Sequence, residues 1–210
     1  RIVTACAVEI DATGAVVGDQ EEWLADPGIE IPLVATNVHG VSTQMAAEHG
    51  RPAKEVIAEL LEVLREHLAA GIPVVAYNAP YDFTILKYEA LRHGLEPILE
   101  PFPVLDPLVI DKKVDQYRSG KRRLENAAAV YGVELSDAHN ATADAVAAGR
   151  VMQAIAEKFG AQLGDGGLDL GDLGEHLGRQ PRRLGQLHQV ADQLLSDALS
   201  PRLGRKVKVL

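Results

Sequence analysis

The sequence predicts an α/β fold in which a small mixed sheet is flanked by helices. Residues 2–10 and 15–24 have the pattern of two strands joined by a short turn containing Gly14, which predicts an antiparallel hairpin. Residues 52–70 carry one broad apolar face at helical spacing, and the continuously apolar residues 72–77 are typical of a strand buried on both faces. Later strands joined by helices predict parallel crossovers beside the opening hairpin.

Turn-forming and helix-capping residues define the remaining elements. Pro32 predicts that residues 29–41 form an extended loop, and Ser42 or Thr43 can cap a short helix that ends at His49. Beyond the central strand, the sequence predicts a helix over 80–93, a short strand at 104–105, and helices over 107–114, 124–131 and 140–159. Each strand after the hairpin is therefore followed by a helix, as crossover connections require.

The composition limits the classes of function. A chain of 210 residues is long enough for one domain with its own core and an appendage. A net charge of −9 argues against a basic protein that coats DNA, whereas carboxylates that bind cations fit this balance. Cys6 is the only cysteine, which suits a reducing cytosol, and no apolar run reaches the roughly 18 residues of a membrane span. We therefore predict a cytoplasmic protein with no membrane partner.

The composition changes sharply after residue 159. Residues 160–210 contain no aromatic residue, Ile, Thr, Met or Asn, and Gly recurs among Leu and Asp. Such a segment buries little apolar surface, so the sequence predicts a weakly ordered tail. We expect one domain over residues 1–159 and a tail over residues 160–210.

Two carboxylates and one imidazole are the leading candidates for chemistry. Asp82 follows the buried strand and Asp144 begins the last helix, where an acidic residue is common for structural reasons alone. His139 lies in a short polar loop, where a surface histidine is the ordinary interpretation, and Asp137 and Asn140 are expected to form the turn and the helix cap. Active sites of α/β sheets collect at the carboxyl ends of strands, which favours a functional role for the set.

The predicted ligand atoms are carboxylate oxygens. Such oxygens suit Mg²⁺ or Mn²⁺, and two of these ions can activate water and stabilise the leaving oxygen of a phosphodiester. Imidazoles titrate near neutrality, so His139 can remove the proton from the attacking water. A zinc site is less favoured, because the histidines are scattered and the chain has a single cysteine. The set predicts a metal-dependent nuclease with Asp82 and Asp144 as ligands.

Further residues are candidates for substrate binding. Asn78 and Tyr81 precede the first carboxylate, and the Tyr81 ring can stack on a base or pack against the protein. His39 and Gly40 can approach a substrate backbone, since glycine permits close contact, and an ordinary turn is an equal alternative. Residues 118–123 form a basic loop that can contact phosphates, although a solvated loop is the usual interpretation.

Two of these segments resemble the motifs of a known family. Residues 78–82, Asn-Ala-Pro-Tyr-Asp, resemble the second exonuclease motif of the DEDDh family, N-x-x-F/Y-D. His139 followed five positions later by Asp144 is similar to the third motif, and Asp106 fits the Asp that often ends the next strand. The resemblance covers residues 1–159. The family includes the proofreading epsilon subunit of bacterial DNA polymerase III, ribonuclease T and oligoribonuclease.

This resemblance implies an RNase H-like fold, a mechanism with two Mg²⁺ or Mn²⁺ ions, and 3′→5′ removal of nucleotides. The implied partners are the 3′ end of single-stranded DNA or RNA, and a DNA polymerase. The family's first motif, Asp-x-Glu, lies on a central strand immediately before the strand that matches residues 2–10, and Asp11, in the turn after that strand, is no substitute. We therefore expect this chain to lack two metal ligands and its first central strand, and to be close to inactive.

Two other interpretations remain open. The first is a non-catalytic RNase H-like module that binds nucleic acid or a polymerase. The second is a general nucleotide-binding α/β domain, for which the sequence offers no glycine-rich phosphate loop.

Overall fold

The computed structural model describes residues 1–135, 140–164 and 207–209. The strands are β1 (Thr4–Ile10), β2 (Val16–Asp26), β3 (Arg51–Pro52), β4 (Val74–Val75), β5 (Val104–Leu105) and β6 (Val207–Val209). The helices are α1 (Leu33–His39), α2 (Thr43–His49), α3 (Ala53–Ala69), α4 (Ala79–Arg92), α5 (Pro107–Val114), α6 (Leu124–Tyr131) and α7 (Ala141–Gly164). Most of the predicted tail, residues 160–210, therefore lies outside the described residues.

The strands form one mixed sheet in the order β3-β2-β1-β6-β4-β5. β1 and β2 are antiparallel, as the hairpin pattern predicts, and β4 is parallel to β5 through a connection that contains α4. β6 lies between the two halves, antiparallel to β1 and parallel to β4. The mixed sheet confirms the predicted fold class, and β6 takes the position where the sequence led us to expect a missing central strand.

Side chains alternate between the two faces of the sheet. On β1, Cys6, Val8 and Ile10 point into a core beneath α5, α6 and α7, whereas Ala7 points into a second core beneath α3 and α4. This alternation follows from the two-residue period of a strand. The predicted helix over residues 52–70 is confirmed as α3, whose fully or nearly fully buried residues are Val56, Ile57, Leu60, Leu61 and Leu64.

The prediction of an extended loop over residues 29–41 is wrong, because the chain forms α1 there. Pro32 is the N-cap residue, a position at which the missing N–H of proline leaves no helical hydrogen bond unmade. The carbonyl oxygen of Pro32 accepts the first bonds of the helix from Ala35 and Thr36. No residue of α1 is fully buried, so this helix has no apolar face that needs a periodic pattern. Without that pattern, the helix cannot be recognised from the sequence.

The hairpin turn is held by side chains of α7. Gly14 has a φ of 78°, and its carbonyl oxygen accepts a hydrogen bond from Arg150 Nε at 2.9 Å. Gln153 Nε2 donates to the carbonyl oxygen of Asp11 at 2.7 Å. A Cβ added at Gly14 would lie 3.0 Å from Gln153 Oε1 and 3.1 Å from Arg150 Cγ. This turn therefore requires glycine both for its backbone conformation and for space.

Replacing Gly14 by Ala should lower the free energy of unfolding by roughly 2–3 kcal/mol, since left-handed strain and crowding against α7 act together. Gly28→Ala is the matched control: Gly28 has a φ of 64° with nothing within 4 Å of the added carbon, so only the strain of about 1–2 kcal/mol applies. Urea unfolding followed by circular dichroism measures both. Equal losses of unfolding free energy for the two variants would show that crowding against α7 does not require glycine at position 14.

Candidate active site

A cavity of about 860 Å³ opens between β1, the segment around α1, and the starts of α4 and α7. Four of the residues singled out from the sequence line it: His39, Tyr81, Asp82 and Asp144. The remaining lining is largely apolar and includes Leu60, Leu64 and Phe83. The structure therefore brings the two candidate carboxylates to one cavity, although they come from different helices.

The start of α4 is fixed by the buried carboxylate of Asp106. Oδ1 of Asp106 accepts hydrogen bonds from the N–H groups of Asn78 (3.0 Å) and Leu108 (2.9 Å), and Oδ2 accepts one from Ala79 (3.1 Å). Asp106 is thus the N-cap of α5 and also binds the first amides of α4. Because β4 and β5 are parallel, their carboxyl ends meet at one edge, and Asp106 ties together the two helices that start there.

Asp82 lies in the first turn of α4 and faces the cavity. Its side chain is exposed to the cavity, but the protein atoms crowded around it desolvate the carboxyl and raise its pKa to about 6. Negative charge on Asp106 raises this pKa further, whereas a backbone hydrogen bond lowers it. The site therefore holds a carboxylate that a positive charge would stabilise in its ionised form.

Asp144 lies in the first turn of α7, whose start is tied to β1 and β2. Asn140 caps this helix, as expected. Its Oδ1 accepts hydrogen bonds from the backbone N–H groups of Thr142 (2.9 Å) and Ala143 (3.3 Å). Its carbonyl oxygen accepts a hydrogen bond from the backbone N–H of Asp144 (2.9 Å). The hydroxyl of Thr142 contacts Cys6 Sγ at 3.2 Å and also Glu22. These contacts fix the first turn of α7, and with it Asp144, against the sheet.

The other predicted residues lie in different surroundings. Gly40 ends α1 in the left-handed conformation (φ 77°), and the N–H of Val41 donates to His39 Nδ1 at 3.2 Å, which orients the ring at the cavity. Asn78 precedes α4 with a φ of 68°, the only non-glycine residue with positive φ in the described part of the chain. Neither Gly40 nor Asn78 is among the residues that line the cavity.

His139, the predicted general base, lies outside the described residues, as does Asp137. The described chain resumes at Asn140, directly before α7. The structure therefore leaves the role of His139 as a prediction.

The carboxylates fit a hard divalent cation by donor type but not by number. Asp82 and Asp144 offer oxygen ligands of the kind that Mg²⁺ and Mn²⁺ prefer. Within the residues that the structure describes, no three His, Cys, Asp or Glu side chains come together as a group that could hold a metal ion. These two carboxylates alone are an incomplete set of ligands for a pair of ions.

Sequence reasoning missed the role of Asp111, which is fully buried in α5. Its carboxylate accepts hydrogen bonds from Arg122 Nη1 (2.6 Å), from the Tyr131 hydroxyl (2.6 Å) and from Arg118. The Tyr77 hydroxyl, whose pKa burial raises to about 12, stays protonated and donates to the carbonyl oxygen of Arg122 at 2.9 Å. The basic loop is therefore not simply solvated, since two of its arginines anchor it to the core.

The mixed sheet, the helices on both of its faces and the two carboxylates at one cavity agree with the RNase H-like fold expected from the sequence. Residues 1–152 match the family described as Exonuclease, and the chain belongs to this exonuclease family. None of the described helices combines the length and the apolar character that a membrane crossing requires.

Curated relatives of the chain are polymerase proteins. It is 28% identical over 163 residues to a PolC-type DNA polymerase III of Lacticaseibacillus paracasei. This alignment covers 78% of the chain and 10% of the polymerase. It is 34% identical over 114 residues to a DNA polymerase III subunit epsilon-like protein of Rhodobacter capsulatus, which covers 54% of this chain and 15% of that protein. The aligned region thus spans only 10% to 15% of the length of these relatives.

Solved structures of exonuclease I share the fold. One superposes with a TM-score of 0.60 at 19% identity, covering 87% of this chain and 38% of that enzyme. E. coli exonuclease I in complex with a dA16 oligonucleotide has a TM-score of 0.60 at 17% identity and covers 74% of this chain and 36% of the enzyme. At this level of identity the likeness establishes the fold alone.

Proposed function

We propose that residues 1–159 form a DEDDh-type 3′→5′ exonuclease domain that hydrolyses phosphodiester bonds of single-stranded DNA or RNA. The observation that carries the proposal is that Asp82 and Asp144 line one cavity in a chain of the exonuclease family. His39 and Tyr81 line the same cavity. Four residues singled out for one reaction from sequence alone thus lie around one space.

Each residue has a role in this proposal. Asp82 and Asp144 are ligands of divalent ions, and Mg²⁺ or Mn²⁺ would activate water and stabilise the leaving oxygen. His139 acts as the general base that removes the proton of the attacking water. Because the described residues do not complete a set of metal ligands, we expect this chain to have low activity. Additional carboxylates supplied by any residues that its gene encodes ahead of Arg1 would raise that activity.

The substrate is proposed to be a single strand with a free 3′ end. Tyr81 is 63% exposed at the cavity and can stack on a base, and His39, which also lines the cavity, would contact the backbone or the terminal sugar. Gly40 and Asn78 lie outside the cavity lining, and in this proposal they bind the strand next to His39 and Tyr81. Structures of the exonuclease I neighbours with oligonucleotides, and relatives named as parts of DNA polymerase III, support single-stranded DNA and a polymerase as partners. A cytoplasmic location would suit those partners and the single cysteine.

The polarity and metal requirement of hydrolysis test this proposal. A 5′-labelled single-stranded oligonucleotide incubated with the chain and Mg²⁺ or Mn²⁺ should yield a ladder that shortens from the 3′ end. Chelation of the metal should stop the reaction. The same assay is run on a version that includes any residues encoded ahead of Arg1, for which we expect faster laddering. A labelled mononucleotide as the first product, or no product from either version, would contradict the proposal.

A non-catalytic module that binds nucleic acid or a polymerase is the second candidate. Its support is the absence of a metal-holding group among the described residues, together with a central strand, β6, of sequence Val-Lys-Val that carries no acidic residue. This candidate predicts that both versions bind single-stranded DNA without shortening it. Binding with no metal-dependent product would therefore favour it over the exonuclease.

A further inference from the structure

Residues 111–123 carry a concentration of positive charge. This segment contains six Lys and Arg residues and two Asp residues, a net charge of +4, in a chain whose net charge is −9. A positively charged segment of this kind attracts a polyanion, even though the chain as a whole is acidic. The structure decides which of these charges face outward.

Two of the six cations are used inside the protein. The side chains of Arg118 and Arg122 are only 12% exposed, because both bind the buried Asp111. Arg122 Nη2 also contacts the carbonyl oxygens of Asp115 and Arg118, which closes the loop onto itself. These contacts give the loop a defined shape, so the residues beside the anchors are held on the outer surface.

The outward-facing residues are cations and one aromatic ring. Lys121 and Arg123 flank the anchor Arg122 and are exposed, and Arg123 makes only a solvent-exposed pair with Glu125 at 3.8 Å. Tyr117 is 90% exposed, more than any other large apolar or aromatic side chain recorded for the described residues. Exposed cations beside a bare aromatic ring are the two components of surfaces that bind single strands without sequence preference.

The loop lies beside the cavity. Leu124, which follows Arg123 directly, lines the cavity wall. Tyr77 also lines the cavity, and its hydroxyl binds the carbonyl oxygen of Arg122 at 2.9 Å. A strand whose end enters the cavity would therefore pass close to this loop.

We propose that residues 111–123 form a docking surface for single-stranded nucleic acid, on which Lys121 and Arg123 bind backbone phosphates and Tyr117 stacks on a base. The proposal rests on the proposed function in so far as the same strand would enter the cavity. It concerns binding outside the cavity, so it is tested separately from hydrolysis. An acidic protein partner would use the two cations but would not need the exposed ring.

Binding of a fluorescein-labelled 20-residue oligo-dT to the full chain is measured by anisotropy in EDTA over a range of salt concentrations. Each phosphate contact contributes about 0.7 to the slope of log K against log salt for single strands, so Lys121→Gln/Arg123→Gln should reduce the slope by about 1.4. At 0.1 M salt this corresponds to roughly 25-fold weaker binding. Tyr117→Ala should weaken binding by about tenfold with the slope unchanged, and Tyr117→Phe should retain it.

The matched control is Lys54→Gln/Lys87→Gln, which removes the same charge from exposed positions on α3 and α4 and should leave the slope unchanged. Thermal melting checks that each variant is folded. Equal slopes for the two double variants, or no binding by the unaltered chain, would overturn the docking surface. Loss of binding by the cation variant together with full binding by Tyr117→Ala would show attraction of any polyanion without base stacking, and would also overturn the proposal. Hydrolysis, assayed separately with metal, decides the proposed function independently.

Discussion

Replacing either Asp82 or Asp144 by Asn should lower the rate of 3′-end hydrolysis by two to three orders of magnitude, measured on the version of the chain with the higher activity. Asn has the size of Asp but no charge, so the variant removes one anionic ligand with little change in packing. Metal ions contribute several kcal/mol of charge stabilisation to such transition states, and about 1.4 kcal/mol corresponds to a factor of ten in rate. Since both carboxylates would act on the same ions, the double variant should lose little more than either single variant.

The measurement is the initial rate of shortening of a 5′-labelled single strand under saturating Mg²⁺. Glu62→Gln removes one negative charge from an exposed position on α3 that is not among the residues lining the cavity, and it should keep full activity. Melting temperatures of all variants should agree with that of the unaltered chain, because Asn keeps the size of Asp and both side chains lie at the cavity. Activity that survives in both Asn variants would remove these residues from the site and attribute any nuclease signal to a contaminant.

Replacing Asp111 by Ala should produce the largest loss of stability, about 3–5 kcal/mol in the free energy of unfolding. The substitution removes from the nearly buried Arg122 the carboxylate that it binds and leaves Arg118 only its pair with Asp115 at 3.6 Å. Breaking a buried pair from one side costs about this amount. The Tyr131 hydroxyl loses its acceptor as well. Asp111→Asn should cost less, since the amide oxygen keeps one acceptor while the charge is lost.

Chemical denaturation followed by circular dichroism gives these free energies. Asp115→Ala is the matched control in the same segment, because Asp115 pairs with Arg118 at 3.6 Å while its own side chain is 31% exposed, so the expected loss is below about 1 kcal/mol. A loss for Asp111→Ala no greater than that of the control would show that the buried network contributes nothing to stability. A marked loss would also predict weaker single-strand binding, because the loop over residues 111–123 would no longer be held.

Local patterns in the sequence predicted most of the elements correctly. The apolar face of α3, the serine cap of α2 and the Asp-Pro start of α5 are each encoded within a few neighbouring residues. Helix α1 was missed because it buries nothing fully and starts at a proline, so it carries no periodic apolar signal. Strand β6 has three residues and pairs with strands far away in the chain, and such pairing has no local signature.

In the candidate site, too, some features can be predicted from the local sequence and others only from the tertiary structure. The sequence by itself identified Asp82, Asp144 and His139 as a set, because residue type, spacing and position at helix starts are local properties. Only the tertiary structure decided that Asp82 and Asp144 line one cavity with His39 and Tyr81. It also showed that Asp106 binds the start of α4, and that a buried Asp111 divides the basic loop into internal anchors and outward cations. These are long-range contacts, and packing of the helices against both faces of the sheet fixes them rather than any pattern along the chain.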